Sequence, residues 1–281
     1  MQQAQVDDLL TTLEQRIQGG NLTLPVLPQV SSQVMQLVHD PDSDAAALTQ
    51  IIQSDQSMAG HVMRISNSAA YSPVAKITSL QQAIARLGMQ TISEISLAAT
   101  MGPKMFPAKG FESLIGEIWQ SSLATALWSR EISRLARKNV EIAFLCGLLG
   151  EIGRPVVLQT VLQISEEIGV LVDRESMQPL IHSFQTQVGV QLVDHWQLPE
   201  IVGHTITGLS GIEVDANAQG IVDIVKAAKL FAAVTIAGGV FELESLIENP
   251  EIVAVNLYSD DVASLLEKAD TIRETTGALL P

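Results

Sequence analysis

Five histidines, one cysteine and three evenly spaced glycines are the residues of this 281-residue chain whose types and spacing could do chemistry. None of the histidines (His39, His61, His182, His195, His204) lies three or four residues from another, so no His pair on one helix face can grip a metal ion. Glu200 and His204 are four apart on one predicted helix face, with Asp194 near in sequence. Those three could offer oxygen and imidazole ligands to a hard or borderline dication. A surface ion pair is the commoner use of that spacing. Gly147, Gly150 and Gly153 recur every third residue, but no strand precedes them and no Lys-Ser or Lys-Thr pair follows. Neither a dinucleotide fingerprint nor a phosphate-binding loop is indicated, and no G-x-S-x-G elbow occurs. Cys146 sits within AFLCGLL, an apolar run that raises a thiol pKa and quiets it. Arg130, Arg134, Arg137 and Lys138 gather toward the end of a long predicted helix, where they complement its carbonyl end. As one basic face they could also receive an acidic partner.

The elements that must position these residues read as helices throughout. Val6, Leu9, Leu10, Leu13 and Ile17 form one helical face that stops at Gly19-Gly20. Pro28 opens a second helix, closed by Asp40-Pro41, with His39 in its last turn. Asp44 caps a third, and Asp55 or Ser57 a fourth that carries His61. Ser79 with Gln82 predicts a capping box for a helix ending at Gly88, and Thr91 with Glu94 repeats the device. The longest predicted helix runs from about Phe111 to Lys138. Beyond it, helices are predicted over Glu141–Leu149, Pro155–Gln163, Pro179–His195, Pro199–Thr207, Val222–Ala237 and Asp260–Thr275. The Gly- and Pro-containing stretch around Gly102 to Gly110 marks the boundary between two lobes, 1–105 and 106–281. The expected fold is all-α and two-lobed.

Composition narrows the function classes. Nearly half the residues are apolar and few are charged, the profile of a chain with a large core. The net charge is −15, which argues against binding a phosphate backbone or an anionic membrane surface. Residues 1–140 hold ten basic and eleven acidic residues, and residues 141–281 hold six and twenty, so the second half carries a net −14. That is a solvated surface, or a steering surface for a basic partner. The N-terminal MQQAQVDDLL lacks the basic start and apolar run of a signal peptide. The longest uncharged apolar stretch, Leu230 to Phe241, falls short of a membrane span. A cytoplasmic protein is expected, and one cysteine suits a reducing compartment.

The stretch LPVLPQVSSQVMQLVHDPDSDAAALTQIIQSDQSMAGHVMRISNSAAYS, continued by KITSLQQAIARLG, resembles the HDOD domain, the HD-related output domain of bacterial signalling proteins. The resemblance rests on order and spacing: the LPxLP opening, Asp40-Pro41, Ile51-Ile52 with Ser54-Asp55, Asn67-Ser68, and Ile77 through Ala83-Ile84 to Leu87-Gly88. It spans about residues 22–100, and a weaker match runs through Trp119, AFLCGLLGEIGR and GVQLVDHWQLP to about residue 210.

HD enzymes hold divalent metal through His, a His-Asp pair, further histidines and a later Asp; the metal turns a bound water into a nucleophile. Matching the motifs puts the first His position on Ser121 and the His-Asp pair on Gly150 and Glu151. The later His falls on Gln185, the His-His pair on Leu209 and Ser210, and the last Asp near Lys229. Gly150 and Leu209 have no donor atom, Ser121 and Gln185 are weak neutral ligands, and Lys229 carries an ammonium where a cation would bind. The resemblance therefore implies a degenerate HD-like lobe, no cofactor, and a non-enzymatic output or adaptor module. It would act through contacts with a signalling protein such as a kinase, response regulator or cyclase. The alternatives are a diverged phosphohydrolase with a shifted site at Glu151, Asp194, Glu200 and His204, and a pseudoenzyme that binds a nucleotide without cleaving it.

Overall fold

Helices form every regular element among the described residues of the computed structural model, which are 3–39, 43–68, 71, 76–239 and 243–280. In chain order they are α1 (Gln3–Gln18), α2 (Gln29–His39), α3 (Ala45–Gln53), α4 (Gln56–Ser66), α5 (Leu80–Thr100), α6 (Glu112–Leu135), α7 (Val140–Leu149) and α8 (Gly153–Ile168). There follow α9 (Arg174–His195), α10 (Glu200–Leu209), α11 (Ala216–Ala237), α12 (Leu243–Ile247), α13 (Pro250–Ala254), α14 (Ser259–Leu266) and α15 (Ala269–Leu279). The fold is all-α, as the periodicity predicts. Asp40-Pro41 and the His39 side chain lie outside the described residues.

Packing divides the chain into two compact units. The first comprises residues 1–26, 103–119 and 149–222, and the second 27–102, 120–148 and 223–281. Each is assembled from three separated stretches, where the sequence suggests two consecutive lobes, 1–105 and 106–281. Periodicity reports which residues a helix buries, not which helices share a core.

In the first unit α1 packs on α8 and α9, and α10 packs on α9. Leu9, Leu13 and Ile17 are the fully buried stripe of α1. In its last turn the Ile17 carbonyl accepts from Gln191 Nε2 at 3.1 Å, and past its end Trp196 Nε1 donates to the Pro25 carbonyl at 2.7 Å. Helix α9 begins at Arg174 because Asp173 accepts the Ser176 amide at 2.8 Å, so Pro179 lies inside the helix instead of opening it. Helix α11 likewise starts earlier than predicted, where Asp215 accepts the Asn217 and Ala218 amides.

In the second unit α2, α3 and α4 pack on α5, and α15 joins α4 and α5. Asp44 and Asp55 cap α3 and α4 through the Ala47, Ser57 and Met58 amides. Asn67 bonds the Met63 and Ile77 carbonyls and accepts the Ile77 amide at 2.8 Å, tying the end of α4 to the approach to α5. Ser79 accepts the Gln82 amide, but the Gln82 side chain answers Thr78, one residue earlier than a capping box requires. Gly88 breaks the helical path of α5 at φ 82°, a left-handed value that suits glycine. The core centres on Trp128, whose ring meets that of Phe231 at 4.7 Å and whose Nε1 donates to Thr235 Oγ1 at 2.9 Å. The predicted helix over Asp260–Thr275 is two helices, α14 and α15, and the short α12 and α13 carry too few turns to show a period.

Candidate functional site

The positions matched to HD metal ligands divide between the units: Gly150, Glu151, Gln185, Leu209 and Ser210 in the first, Ser121 and Lys229 in the second. In the first unit Glu151, Ser210 and Gln185 make contacts within and between its helices. Glu151 Oε2 accepts from Arg154 Nη1 at 2.9 Å, one turn further on. Ser210 turns its hydroxyl back to the Thr207 carbonyl at 2.7 Å, closing the end of α10. Gln185 contributes its backbone to a close helix crossing. A Cβ on Gly153 would stand 1.9 Å from the Gln185 carbonyl oxygen and 2.9 Å from the Gly189 nitrogen. The third of the spaced glycines thus lets α8 approach α9 backbone to backbone. Gly147 does the same in the second unit, where its Cβ would meet Ala126 Cα at 2.8 Å. In the second unit Ser121 and Lys229 are both half-buried. No histidine occupies any of the seven positions, and the one carboxylate is held by an arginine. This donor set does not fit a divalent metal centre.

The other candidate trio fares differently from its spacing. His204 is paired with Asp215, Nδ1 to Oδ2 at 3.4 Å, instead of with Glu200. The Ala218 amide, with the Asn217 amide and His204 beside it, holds the Asp215 carboxyl below the usual carboxylate range. Asp194 and Glu200 are exposed on α9 and α10. Among the described residues no group of three or more His, Cys, Asp or Glu side chains could hold a metal ion. Cys146 is fully buried, as its surroundings predict.

A charged cluster buried in the second unit has no counterpart in the sequence reading. Arg130 on α6 reaches Glu94 on α5 (Nη1 to Oε2, 3.3 Å), Glu131 (Nε to Oε1, 3.1 Å) and the Tyr71 hydroxyl at 3.4 Å. Glu131 also accepts from Arg134 at 2.6 Å and from Lys268 at 2.5 Å. The Glu94, Glu131 and Arg130 side chains are only 7%, 5% and 12% exposed. Burial pushes the Glu94 carboxyl up despite Arg130 and Arg134 beside it. For Glu131 burial acts the same way, but Lys268, Arg130 and Arg134 outweigh it and hold the carboxyl below its ordinary value. Arg130 is therefore an internal partner rather than a basic docking face, while Arg134, in the last turn of α6 as predicted, is half exposed and pairs with Glu131. Glu94, expected to complete a cap with Thr91, pairs with Arg130 instead. The signal that could have found the cluster is Glu131 itself, an acid on the same stripe as Trp128, Ile132 and Leu135.

The model of the HDOD domain matches residues 24–208. The chain belongs to the HDOD family. Its fold is shared with a candidate metal-dependent phosphohydrolase from Shewanella amazonensis SB2B, at a TM-score of 0.73 and 21% identity over 97% of this chain and 99% of that one. An HDOD domain protein of unknown function from Geobacter sulfurreducens superposes at 0.70, with 20% identity over 98% and 99%. A candidate signal transduction protein from Marinobacter aquaeolei VT8 gives 0.67, with 18% identity over 98% of this HDOD chain and 66% of that one. None of the curated proteins matches. Among the described residues of this HDOD protein no helix is long and apolar enough to cross a membrane.

Proposed function

We propose that this HDOD chain is a non-enzymatic signal-transduction module that acts through protein contacts. The observation that carries the reading is the set of side chains at the HD ligand positions. Gly150 and Leu209 offer no donor atom, Ser121, Gln185 and Ser210 are neutral, Lys229 is cationic, and Glu151 is engaged by Arg154 at 2.9 Å. A catalytic dication needs ligands that supply charge and fixed geometry; here the ion pair and the close helix crossing serve packing. The Marinobacter relative's name places that protein in signal transduction, and a kinase, response regulator or cyclase of a reducing cytoplasm is the partner class this reading expects.

The name of the Shewanella relative favours one second reading, a diverged metal-dependent phosphohydrolase. Metal analysis of the purified chain, paired with hydrolysis assays on phosphomonoester and phosphodiester substrates with added Mn²⁺ and Mg²⁺, separates the two. The module reading expects no stoichiometric metal and no turnover above buffer. Bound metal together with turnover that Glu151→Ala abolishes would overturn it. A thermal shift produced by a cyclic dinucleotide, without turnover, would assign the chain a nucleotide-binding role instead.

A further inference from the structure

The second unit holds a small half-open pocket between α2, α5 and α7. Met35, Leu97, Ile142 and Leu145 supply its apolar wall, and its two charged residues are both acids, Glu94 and Glu141. Its volume of about 40 Å³ is room for a few waters or the end of one side chain, at roughly 10–15 Å³ per water. Of the buried ionic cluster only Glu94 lines this pocket; Arg130, Glu131, Arg134 and Lys268 do not. Glu94 is also the carboxylate whose burial its cationic neighbours fail to offset, so a further positive charge on the pocket side would stabilise its ionised form. Glu141 is exposed, in the first turn of α7.

We propose that this pocket receives a lysine side chain from a protein partner, with its methylene stem on the apolar wall and its ammonium at the Glu94 and Glu141 carboxylates. The inference rests on the protein-contact reading above and gives that contact a chemistry. An apolar stem with a compact charged head matches a lysine, which buries its methylenes while keeping its ammonium near polar groups. An arginine offers a planar fork that needs more room and two parallel acceptors. The pocket is too small for a whole nucleotide or metabolite but suits one projecting side chain. The charge complementarity is local: both charged residues of the lining are acids, and opposite charge is what selects an ammonium over a neutral side chain.

The test uses the full chain and a defined probe, Nα-acetyl-lysine N-methylamide, followed by amide chemical shifts. The expected result is saturable shifts confined to α2, α5 and α7, with a Kd of about 1–10 mM for one side chain. The norleucine and Nε-acetyl-lysine analogues, which keep the stem and lose the charge, should give no saturable shift. Glu141→Gln, at an exposed position that leaves folding intact, should weaken the lysine probe several-fold. Absence of saturable shifts, or equal shifts with norleucine, overturns the proposal. So does binding of butylammonium when the lysine probe is excluded, which would assign the pocket to a small amine. These outcomes are independent of metal content and hydrolysis: the pocket assignment can fail while the module reading stands.

Discussion

Arg130 on α6 donates to Glu94 on α5 across 3.3 Å, with both side chains almost wholly removed from water. The same guanidinium bonds Glu131 at 3.1 Å, and Glu131 in turn holds Lys268 and Arg134. Residues from α5, α6 and the turn before α15 thus meet through charge in a unit otherwise closed by apolar packing. Such a cluster adds little net stability over apolar groups of the same shape, but each broken pair strands a charge in low dielectric.

Removing the hub should therefore cost far more than removing a rim partner. Arg130→Leu leaves Glu94 without its cation and is expected to lower unfolding stability by about 3–5 kcal/mol. Arg134, half exposed, is one of three cations on the buried Glu131; with Arg130 and Lys268 still in place, Arg134→Ala should cost only about 1 kcal/mol. The double variant Glu94→Leu/Arg130→Leu should recover much of the Arg130 loss, because Glu131 keeps Arg134 and Lys268. Urea unfolding of the three variants reads this directly. A double variant as unstable as Arg130→Leu would sink the account.

The two buried carboxylates make opposite contributions to the pH dependence of stability. Glu94 has a folded pKa raised above the ordinary 4.5 by burial. Its contribution is fully present below that ordinary value and is lost as pH rises through the raised one. Glu131 has a lowered folded pKa, set by burial against the stronger pull of Lys268, Arg130 and Arg134. Its contribution is present above the ordinary value and is lost as pH falls through the lowered one. Urea midpoints of wild type and Glu94→Gln, followed from about pH 5 to 8, should diverge steadily, with the wild type relatively best at the acidic end. A difference that does not change with pH would show that Glu94 does not titrate as its burial requires.

Much of the fold was legible because its cues are local. Asp44 and Asp55 cap the helices their positions announce, and the stripe of Leu9, Leu13 and Ile17 is the buried face of α1. Family membership was legible too, from the ordered pieces between Leu24 and Gly88. What stayed hidden depends on residues far apart in sequence. Arg130 looks like a dipole partner until Glu94, thirty-six residues away, is placed beside it. His204 has an apt neighbour in Glu200, yet the turn into α11 brings Asp215 to it. Gly147 and Gly153 advertise a loop by type, and only the helix crossings reveal why a side chain is excluded there.

Glu151 offers a contrast with the buried cluster. Its pair with Arg154 spans one helical turn, and both side chains keep between a fifth and a quarter of their surface exposed. Water and the backbone at the α7–α8 junction can take over much of what the pair supplies. Glu151→Ala is expected to lower stability by about 0–1 kcal/mol and to leave metal content unchanged. A loss of several kcal/mol, together with stabilisation by added Mn²⁺ of the wild type but not of the variant, would mean that the carboxylate is a ligand after all.

The crossing of α8 and α9 makes a sharper demand. At Gly153 an added methyl would sit 1.9 Å from the Gln185 carbonyl oxygen, and the obstacle is backbone, which cannot rotate aside. The helices would have to part, opening the contact between Gly153 and Gly189 and loosening Ile206, whose side chain lies 3.2 Å from where a Gly189 Cβ would be. Gly153→Ala should thus destabilise by about 1–3 kcal/mol or more, a fall in Tm of roughly 2–4 °C per kcal/mol for a chain of this size. Gly220→Ala on α11 is the matched control, since nothing stands within 4 Å of its Cβ position. There the same substitution removes backbone freedom from the unfolded chain and should be neutral or stabilising by about 0.4–1 kcal/mol. Equal melting temperatures for the two variants would mean that α8 and α9 do not approach as closely as their glycines allow.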